Sequence, residues 1–456
     1  MSVVISLAPR LAAARIRATK GAGVLDVMAV FAFTISAWLA LTVAGGTSMF
    51  LQRWQGDGVL ADTAWMEVAP VYFGLAAFAC ALLVIPILSL GSGAAKLGAR
   101  GRARRLASLR LIGMTSGEVV RMSVIETLVQ AVAGVLLGSL IYAASLPAWH
   151  LLEFQMQPID PIEMLLPWWL WLAVGGVLLL LAVASTVLGL SRVTISPLGV
   201  ARDQTPRSVK TWRLVAVVAL VVGFLIYSRF TSVASLIGLI GMVAFLAVVI
   251  GSINLVGPWL LQLVARPGTR TARVPRLLAS RRILDDPHAA WRNVSSVSLL
   301  GFIAGFVVTM PATTGGQASE VYSHVFVRDI QTGVAITLAV GLILAATATL
   351  ITQASQIFDR APESIALDRM GVPASVHVSV RRSLVLIPLA VALGTSVPLG
   401  LLLSTVVATD LNSFPVVGVT LLVATIALGF LVTLIAVEAC RPLQTGVLGE
   451  QRRRND

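Results

Sequence analysis

Long apolar runs separated by short polar segments recur along the whole chain. They lie near positions 24–48, 68–92, 122–146, 165–189, 212–228, 234–257, 294–312, 330–354, 384–407 and 413–437. A helix needs about 20 apolar residues to cross a hydrocarbon layer about 30 Å thick, and most of these runs reach that length. The pattern therefore predicts an all-α polytopic membrane protein with about ten transmembrane helices.

Basic residues fix the orientation of these helices, because cytoplasmic loops carry the excess of Lys and Arg. If both termini are cytoplasmic, all but three of the 34 Lys and Arg residues fall on the cytoplasmic side, and the exceptions are Arg53, Arg229 and Arg328. Removing one span would reverse this pattern for the rest of the chain, so the charges support ten spans. The net charge of +13 then reflects topology, and no nucleic-acid partner is indicated.

The composition agrees with a chain surrounded by lipid and indicates no enzyme chemistry. Only 12% of the residues are charged, which is about half the share in a soluble domain. Neither Cys80 nor Cys440 has a plausible disulfide partner, and the four His residues have no metal-ligand spacing. No phosphate-binding loop of the form G-x-x-x-x-G-K-[ST] occurs. We therefore expect no catalytic, cofactor-binding or metal-binding residues in this chain.

Two cytoplasmic segments resemble each other at a constant offset of 258 residues. The first, RARRLASLRLIGMTSGEVV (102–120), follows the second apolar run, and the second, RAPESIALDRMGVPASVHV (360–378), follows the eighth. Each has a basic start, a short amphipathic helix and a glycine that fits a C-terminal cap. Such a helix, held between two spans, can transmit a push from a cytoplasmic partner. The alternative is a basic loop that only enforces topology, but its duplication favours a mechanical role.

The same offset divides the chain into two four-helix units. It pairs Gly134 and Gly138 with Ala392 and Ser396, which places a small-xxx-small spacing in a corresponding span of each unit. An even number of spans separates the units, so they run in the same direction. The predicted division is an interfacial amphipathic helix (1–23), a first unit (24–202), a linking two-helix hairpin (203–266), a second unit (267–440) and a cytoplasmic basic tail (441–456).

The first repeated segment, with its Leu109-Arg110 pair and Gly113, resembles the FtsX-like permease domain of ABC transporters. Glu126 follows inside the third helix, and SRVTISPLGVAR (191–202) is similar to the family's segment after the fourth helix. The resemblance covers 66–200 and 330–440 as two copies, as in ten-span members. It implies that the repeated segments are ATPase-coupling helices. The residues concerned are Arg102, Arg105, Leu106, Leu109, Gly113, Arg360, Glu363, Leu367 and Gly371.

The second copy departs from the family pattern in two respects. Leu384 stands where the first copy has an intramembrane acid, and Pro362, Glu363 and Asp368 stand at arginine positions of the first segment. Glu126 itself has two interpretations. It either reaches the membrane interface, or it faces the bundle and pairs with an arginine of the coupling segment, because a charge at mid-bilayer is costly.

The resemblance further implies a permease subunit of an ABC transporter, with ATP and Mg²⁺ bound by a separate ATPase subunit, two copies per permease. We expect export or extrusion of a hydrophobic or amphipathic compound (a drug, peptide or lipid) across the inner membrane of a bacterium, and the arginine-rich composition indicates a GC-rich Gram-positive. Two other classes stay open. One is a regulatory protein whose ATPase-driven motion controls an outer-face partner, and the other is an ion-coupled transporter.

Overall fold

The structure is a computed structural model, and it describes residues 22–56, 64–111, 115–194, 236–308, 320–407 and 416–444, together with 215, 218–223, 226 and 227. Within these residues the α-helices are α1 (Ala22–Gln55), α2 (Ala69–Leu111), α3 (Ser116–Ser145), α4 (Trp168–Thr194), α5 (Leu236–Gly268), α6 (Val274–Asp285), α7 (Pro287–Arg292), α8 (Ser295–Val307), α9 (Glu320–Asp359), α10 (Ala361–Arg369), α11 (Ala374–Val407) and α12 (Val416–Ala439). A two-stranded antiparallel ribbon pairs β1 (Glu153–Phe154) with β2 (Gln157–Pro158).

Helices that could cross a membrane make up most of the described chain. In the part that the structure describes, seven segments are long and apolar enough, namely Val24–Gln55, Ala69–Leu97, Gly117–Leu151, Trp168–Leu188, His324–Phe358, Ser375–Ser404 and Gly418–Gln444. The shorter α8 lies within the seventh predicted run, and α5 covers the sixth. The predicted class, an all-α polytopic membrane protein, is confirmed. The count of ten stays a prediction, because the fifth run is described only in part.

The first four helices pack as one bundle in which α1 contacts α2, α3 and α4. Its closest contact joins α3 to α1 at the two glycines that the repeat singled out. A Cβ atom on Gly138 would lie 2.6 Å from the carbonyl oxygen of Thr34 and 2.7 Å from the Cβ of Ala37. A Cβ on Gly134 would overlap the Cβ of Phe33. Only glycine therefore allows the two backbones to come this close.

A second bundle of α8, α9, α11 and α12 repeats the arrangement, with α11 against α8 in place of α3 against α1. Here a Cβ on Gly305 of α8 would lie 2.6 Å from the carbonyl oxygen of Val397, and a Cβ on Gly400 of α11 would overlap the carbonyl of Phe302. The small residues of α11 at this contact are Ser396 and Gly400, one helical turn later than the positions paired by the offset. The predicted small-residue contact is thus present in both bundles.

The remaining helices attach to the second bundle. α5 contacts α6, α7 and α11, and it also reaches α2 of the first bundle. The ring of Tyr227 stacks on Phe245 of α5 at a centroid separation of 6.2 Å, as a hairpin of the fifth and sixth runs requires. The two bundles meet mainly through α9, which packs against α1 and α2. Val340 and Leu344 of α9 share an apolar core with Leu39 and Leu83.

The two repeated cytoplasmic segments fold differently. In the first copy α2 runs without interruption from the membrane to Leu111, so the predicted short separate helix is wrong there. In the second copy α9 ends at Asp359, and α10 begins after Arg360. Pro362 explains the break, since proline has no N–H for the carbonyl four residues earlier and its ring collides with that carbonyl. Gly371 follows α10 with a φ of +81°, the left-handed conformation expected of a glycine cap.

The close packing of α8 against α11 can be tested with two substitutions in α11. Replacing Gly400 with Ala should destabilise the protein by about 1–3 kcal/mol, because the added methyl group meets the backbone of α8, which cannot move without repacking the bundle. The measurement is thermal unfolding of the purified chain in detergent.

Gly394→Ala is the matched control, since a Cβ at Gly394 of the same helix meets nothing within 4 Å. It should leave the unfolding temperature unchanged or raise it, because alanine favours helix over glycine. Equal unfolding temperatures for the two variants would contradict the close-packing account.

Candidate functional site

A cavity of about 180 Å³ lies where the two bundles face each other. Its wall comes from α1, α2, α8 and α9, and the chain between α3 and α4 contributes at one end. The lining is almost entirely apolar and includes Val43, Phe50, Leu82, Ile303, Phe306 and Val334. Such a space accepts a hydrocarbon group and offers a charged solute no compensation for lost water.

Three threonines in the wall keep it apolar by bonding to their own helices. Thr42 donates to the carbonyl of Trp38 at 2.8 Å and Thr337 to that of Gly333 at 2.8 Å. The Thr47 hydroxyl donates to the carbonyl of Val43 at 2.9 Å and lies 3.5 Å from that of Ala76 in α2. Each hydroxyl is therefore turned back along the helix instead of into the cavity.

The polar part of the lining lies at the outer end, where Tyr72 of α2 and Asp329 of α9 meet. The Tyr72 hydroxyl donates to Asp329 Oδ2 at 2.9 Å, and both side chains are buried. This hydrogen bond joins the first bundle to the second. It also places one polar group against an otherwise apolar space, which suits a molecule with a polar end and an apolar body.

A buried ion pair lies beside this contact. Arg53, at the outer end of α1, is fully buried and donates from Nε and Nη2 to Glu163 Oε2 at 3.1 and 2.7 Å. Its Nη1 donates to the carbonyl of Phe154 at 3.2 Å and to Gln155 Oε1 at 3.3 Å. We call Arg53, Tyr72, Gln155, Glu163 and Asp329 the outer polar cluster.

The turn of the two-stranded ribbon is held in place by the outer polar cluster. Gln155 and Met156 connect β1 to β2 with φ values of +57° and +63°. Two-residue turns of this kind favour Asn-Gly, and a non-glycine residue there costs of order 1–3 kcal/mol. The backbone N–H of Gln155 donates to Asp329 Oδ2 at 2.7 Å, which offsets part of that cost. The ribbon is thus fastened to both bundles over the outer end of the cavity.

The residues that the sequence predicts to act in coupling in the second copy lie around α10. Glu363 Oε1 accepts from Arg282 Nη2 of α6 at 2.7 Å, and Leu367 is partly buried. Burial, with repulsion from Arg282, lowers the pKa of Arg360 below its ordinary value. Met370, which the sequence did not single out, is 71% exposed immediately before Gly371. It is the large apolar side chain that this segment presents outward.

In the first copy the structure describes the backbone but not the coupling side chains. The stretch that carries Arg102, Arg105, Leu106 and Leu109 is the helical end of α2, and Gly113 lies outside the described residues. Their role in coupling stays a prediction. The predicted interfacial helix and basic tail also lie almost wholly outside the described part.

Glu126 is buried within α3, on the side that packs in the bundle. One turn further along, Gln130 donates to Asp26 Oδ1 of α1 at 3.0 Å. The cytoplasmic half of the first bundle therefore contains buried polar groups that connect α1 with α3. Pairing of Glu126 with a coupling arginine stays a prediction, since those arginine side chains are not among the described ones.

The sequence did not single out the outer polar cluster. Its charges looked like ordinary loop residues, and the partners Arg53 and Glu163 are 110 positions apart. One signal was available: Arg53 and Arg328 are two of the three basic residues on the side that normally lacks them. In the structure Arg53 is buried, and Arg328 lies next to buried Asp329.

These features define a polytopic helical membrane protein with two helical bundles, an apolar cavity between them and a repeated segment at one end of each bundle. Residues 77–198 match the family model described as FtsX-like permease C-terminal, a stretch that contains the first coupling segment and Glu126. This part of the chain is therefore similar to an FtsX-like permease domain, as the resemblance of the first repeated segment implied. Comparison with curated proteins and with solved structures gives no match.

The structure predicts a large difference between Arg53, which belongs to the outer polar cluster, and Arg328, which does not. Arg53→Gln leaves Glu163 buried without its counter-ion and should cost about 3–5 kcal/mol of stability. Arg328→Gln should cost less, about 1 kcal/mol or below, because the Arg328 side chain is 55% exposed and its contacts with Glu153 and Asp329 are long, at 3.7 and 3.9 Å. Unfolding of the purified variants in detergent measures both. The double variant Arg53→Gln/Glu163→Gln should recover part of the loss, and similar unfolding for Arg53→Gln and Arg328→Gln would refute the account.

Proposed function

We propose that this chain is the permease subunit of an ABC exporter that extrudes hydrophobic or amphipathic compounds. The observation that carries the proposal is the apolar cavity between the two bundles, with Tyr72 and Asp329 at its outer end. An apolar body would fill the cavity, and a polar head would lie next to the Asp329 carboxylate. Because the cavity walls belong to both bundles, any movement of one bundle against the other changes its shape.

The energy would come from a separate ATP-binding subunit, to which ATP and Mg²⁺ bind. Two repeated cytoplasmic segments favour two copies of that subunit, one at the end of α2 and one at α10. In the second copy, the exposed Met370 and partly buried Leu367 suit an apolar groove on the partner. Glu363 has a different role in this proposal: its ion pair with Arg282 holds α10 against α6.

The setting that we propose is the inner membrane of a GC-rich Gram-positive bacterium. A regulatory protein is the alternative, in which ATPase-driven motion would control a partner on the outer face. The cavity favours transport, since a purely regulatory protein has no need of an apolar space walled by both bundles. The proposed substrate class, hydrophobic or amphipathic compounds, rests only on the apolar lining of this cavity.

Filling the cavity tests the transport proposal directly. Gly46 lines the cavity, and a Cβ there meets nothing within 4 Å, so Gly46→Leu should fit without disturbing the helices. Extrusion of amphipathic dyes from inverted vesicles that contain the permease and its ATPase should fall by about tenfold or more, which is the effect of losing about 1.4 kcal/mol of binding.

Gly176→Leu is the control, because Gly176 of α4 also faces open space but does not line the cavity. It should leave extrusion at the wild-type level. Wild-type extrusion by Gly46→Leu, with normal amounts of the assembled complex, would exclude this cavity as the substrate path.

The coupling segments give a separate test. Leu109→Asp and Leu367→Asp should each weaken association with the ATPase, because a carboxylate buried in an apolar groove is costly. Pull-down of the ATPase across a salt series should show a steeper loss for the first segment, whose Arg102, Arg104, Arg105 and Arg110 interact through screened charges. Association that is unchanged in both variants would leave these segments as topology signals only.

A further inference from the structure

A small polar pocket lies on the cytoplasmic side of the second bundle, away from the substrate cavity. It has a volume of about 50 Å³ and lies between α6, α9, α10, α11 and the residues that follow α12. Its polar wall is formed by Arg282, Gln353, Arg360, His377, Arg381 and Gln444. No Asp or Glu belongs to the described lining, so three guanidinium groups share a space without an acidic residue.

Arg381 is the central residue of this pocket. It is 6% exposed, and its Nη1 donates to Gln444 Oε1 at 2.9 Å. Its Nε and Nη2 are buried and have no hydrogen-bond partner. The next residue, Arg382, is different: it is exposed and forms an ion pair with Glu438 at 2.8 Å. A buried guanidinium with two unused donors is rare, because water has been removed and nothing replaces it.

The other unsatisfied groups around the pocket have the same chemical character. Arg282 Nε, Gln353 Nε2 and His377 Nε2 are also buried and without a hydrogen bond. When Nε and Nη2 of Arg381 are included, four of these atoms are N–H donors, and His377 Nε2 is a donor in one of its two tautomers. Glu363 accepts from Arg282 Nη2, Asp285 and Asp286 lie near Arg360, and Glu438 pairs with Arg382. No carboxylate forms a hydrogen bond with Nε or Nη2 of Arg381 in the described part of the chain, so these donors suit an additional, anionic acceptor.

The volume of the pocket and its position relative to the neighbouring apolar run indicate which kind of anion it would bind. A water molecule needs about 10–15 Å³ in the same measure, so the space holds about four oxygen atoms, the number in a phosphate group. Arg381 lies three residues before the apolar run at 384–407, and Leu384 forms part of the wall. This is the level of the lipid headgroups on the cytoplasmic side, where basic pockets between helices bind anionic lipids.

We propose that this pocket binds a phosphate group through Arg381, Arg282, Gln353 and His377, and that the phosphate belongs to an anionic phospholipid of the inner leaflet. The bound headgroup would tie α6, α9 and α11 to Arg360 and Ser364, which line the pocket from the second coupling segment. Attachment of that segment to the bundle would then depend on anionic lipid. The binding site itself does not depend on what the permease transports.

The test uses the full chain, purified in a neutral detergent and freed of lipid. Thermal unfolding is followed during titration with phosphatidylglycerol, phosphatidylcholine or inorganic phosphate. We expect phosphatidylglycerol to raise the unfolding temperature and phosphatidylcholine to leave it unchanged. Arg381→Gln should weaken the response to phosphatidylglycerol by about tenfold or more, since charge-assisted hydrogen bonds are lost. Arg382→Gln, the matched control, should respond like the wild type.

Stabilisation by inorganic phosphate at similar concentrations would support a phosphate site that is filled from solution instead of from the membrane. If Arg381→Gln does not fold, Gln353→Leu removes a neutral donor from the same pocket and should weaken the response severalfold. A wild-type response in Arg381→Gln or Gln353→Leu, or no response of the wild type to either anion, would overturn the proposal.

Discussion

Helices in a bilayer gain little by leaving lipid for each other, because lipid tails are as apolar as leucine side chains. Close backbone contact must therefore supply much of the attraction, and in this chain it is concentrated where glycine meets glycine or a small neighbour. Gly138 lies against α1, and Gly305 and Gly400 join α8 to α11. Each bundle is built around such a contact. The position of the cavity follows, since it occupies the region between two bundles that are each tightly packed inside.

The interactions between the two bundles differ from the glycine contacts inside each bundle. α9 contributes an apolar seam against α1 and α2, and the outer polar cluster adds directional bonds at one end. A buried ion pair such as Arg53–Glu163 adds little net stability compared with apolar packing, but breaking it is costly. The ion pair therefore constrains the positions of Arg53 and Glu163 more than it increases the stability of the protein. The strained turn at Gln155 and Met156 belongs to the same arrangement, because Asp329 holds it from the opposite bundle.

The sequence correctly predicted those features that a pattern of residues along the chain encodes. Hydropathy located the spans, since each is a local run of apolar residues, and the 258-residue offset found Gly134 and Gly138 before any contact was known. Sequence reasoning failed in the first copy, where a short separate helix was expected and α2 instead continues to Leu111, whereas the separate helix expected in the second copy is present as α10. It also missed the outer polar cluster, because the pairing of Arg53 with Glu163 and of Tyr72 with Asp329 depends on how the helices meet. The pocket around Arg381 draws residues from α6, α9, α11 and the end of the chain, and no local pattern contains it.

The uninterrupted course of α2 has a mechanical consequence. At 1.5 Å per residue its 43 residues extend about 64 Å, with Tyr72 near one end, Pro86 inside the helix and the first predicted coupling segment at the other end. A sideways force on the cytoplasmic end acts on a lever whose opposite arm reaches the outer end of the cavity. The second bundle has a joint at Arg360 instead, so force on α10 must pass through a hinge before it reaches α9. With the two ATPase copies of the proposed function, one push would pass along a continuous helix that contains Pro86 and the other through the break before α10, so equal strokes would move the two walls of the cavity by unequal amounts.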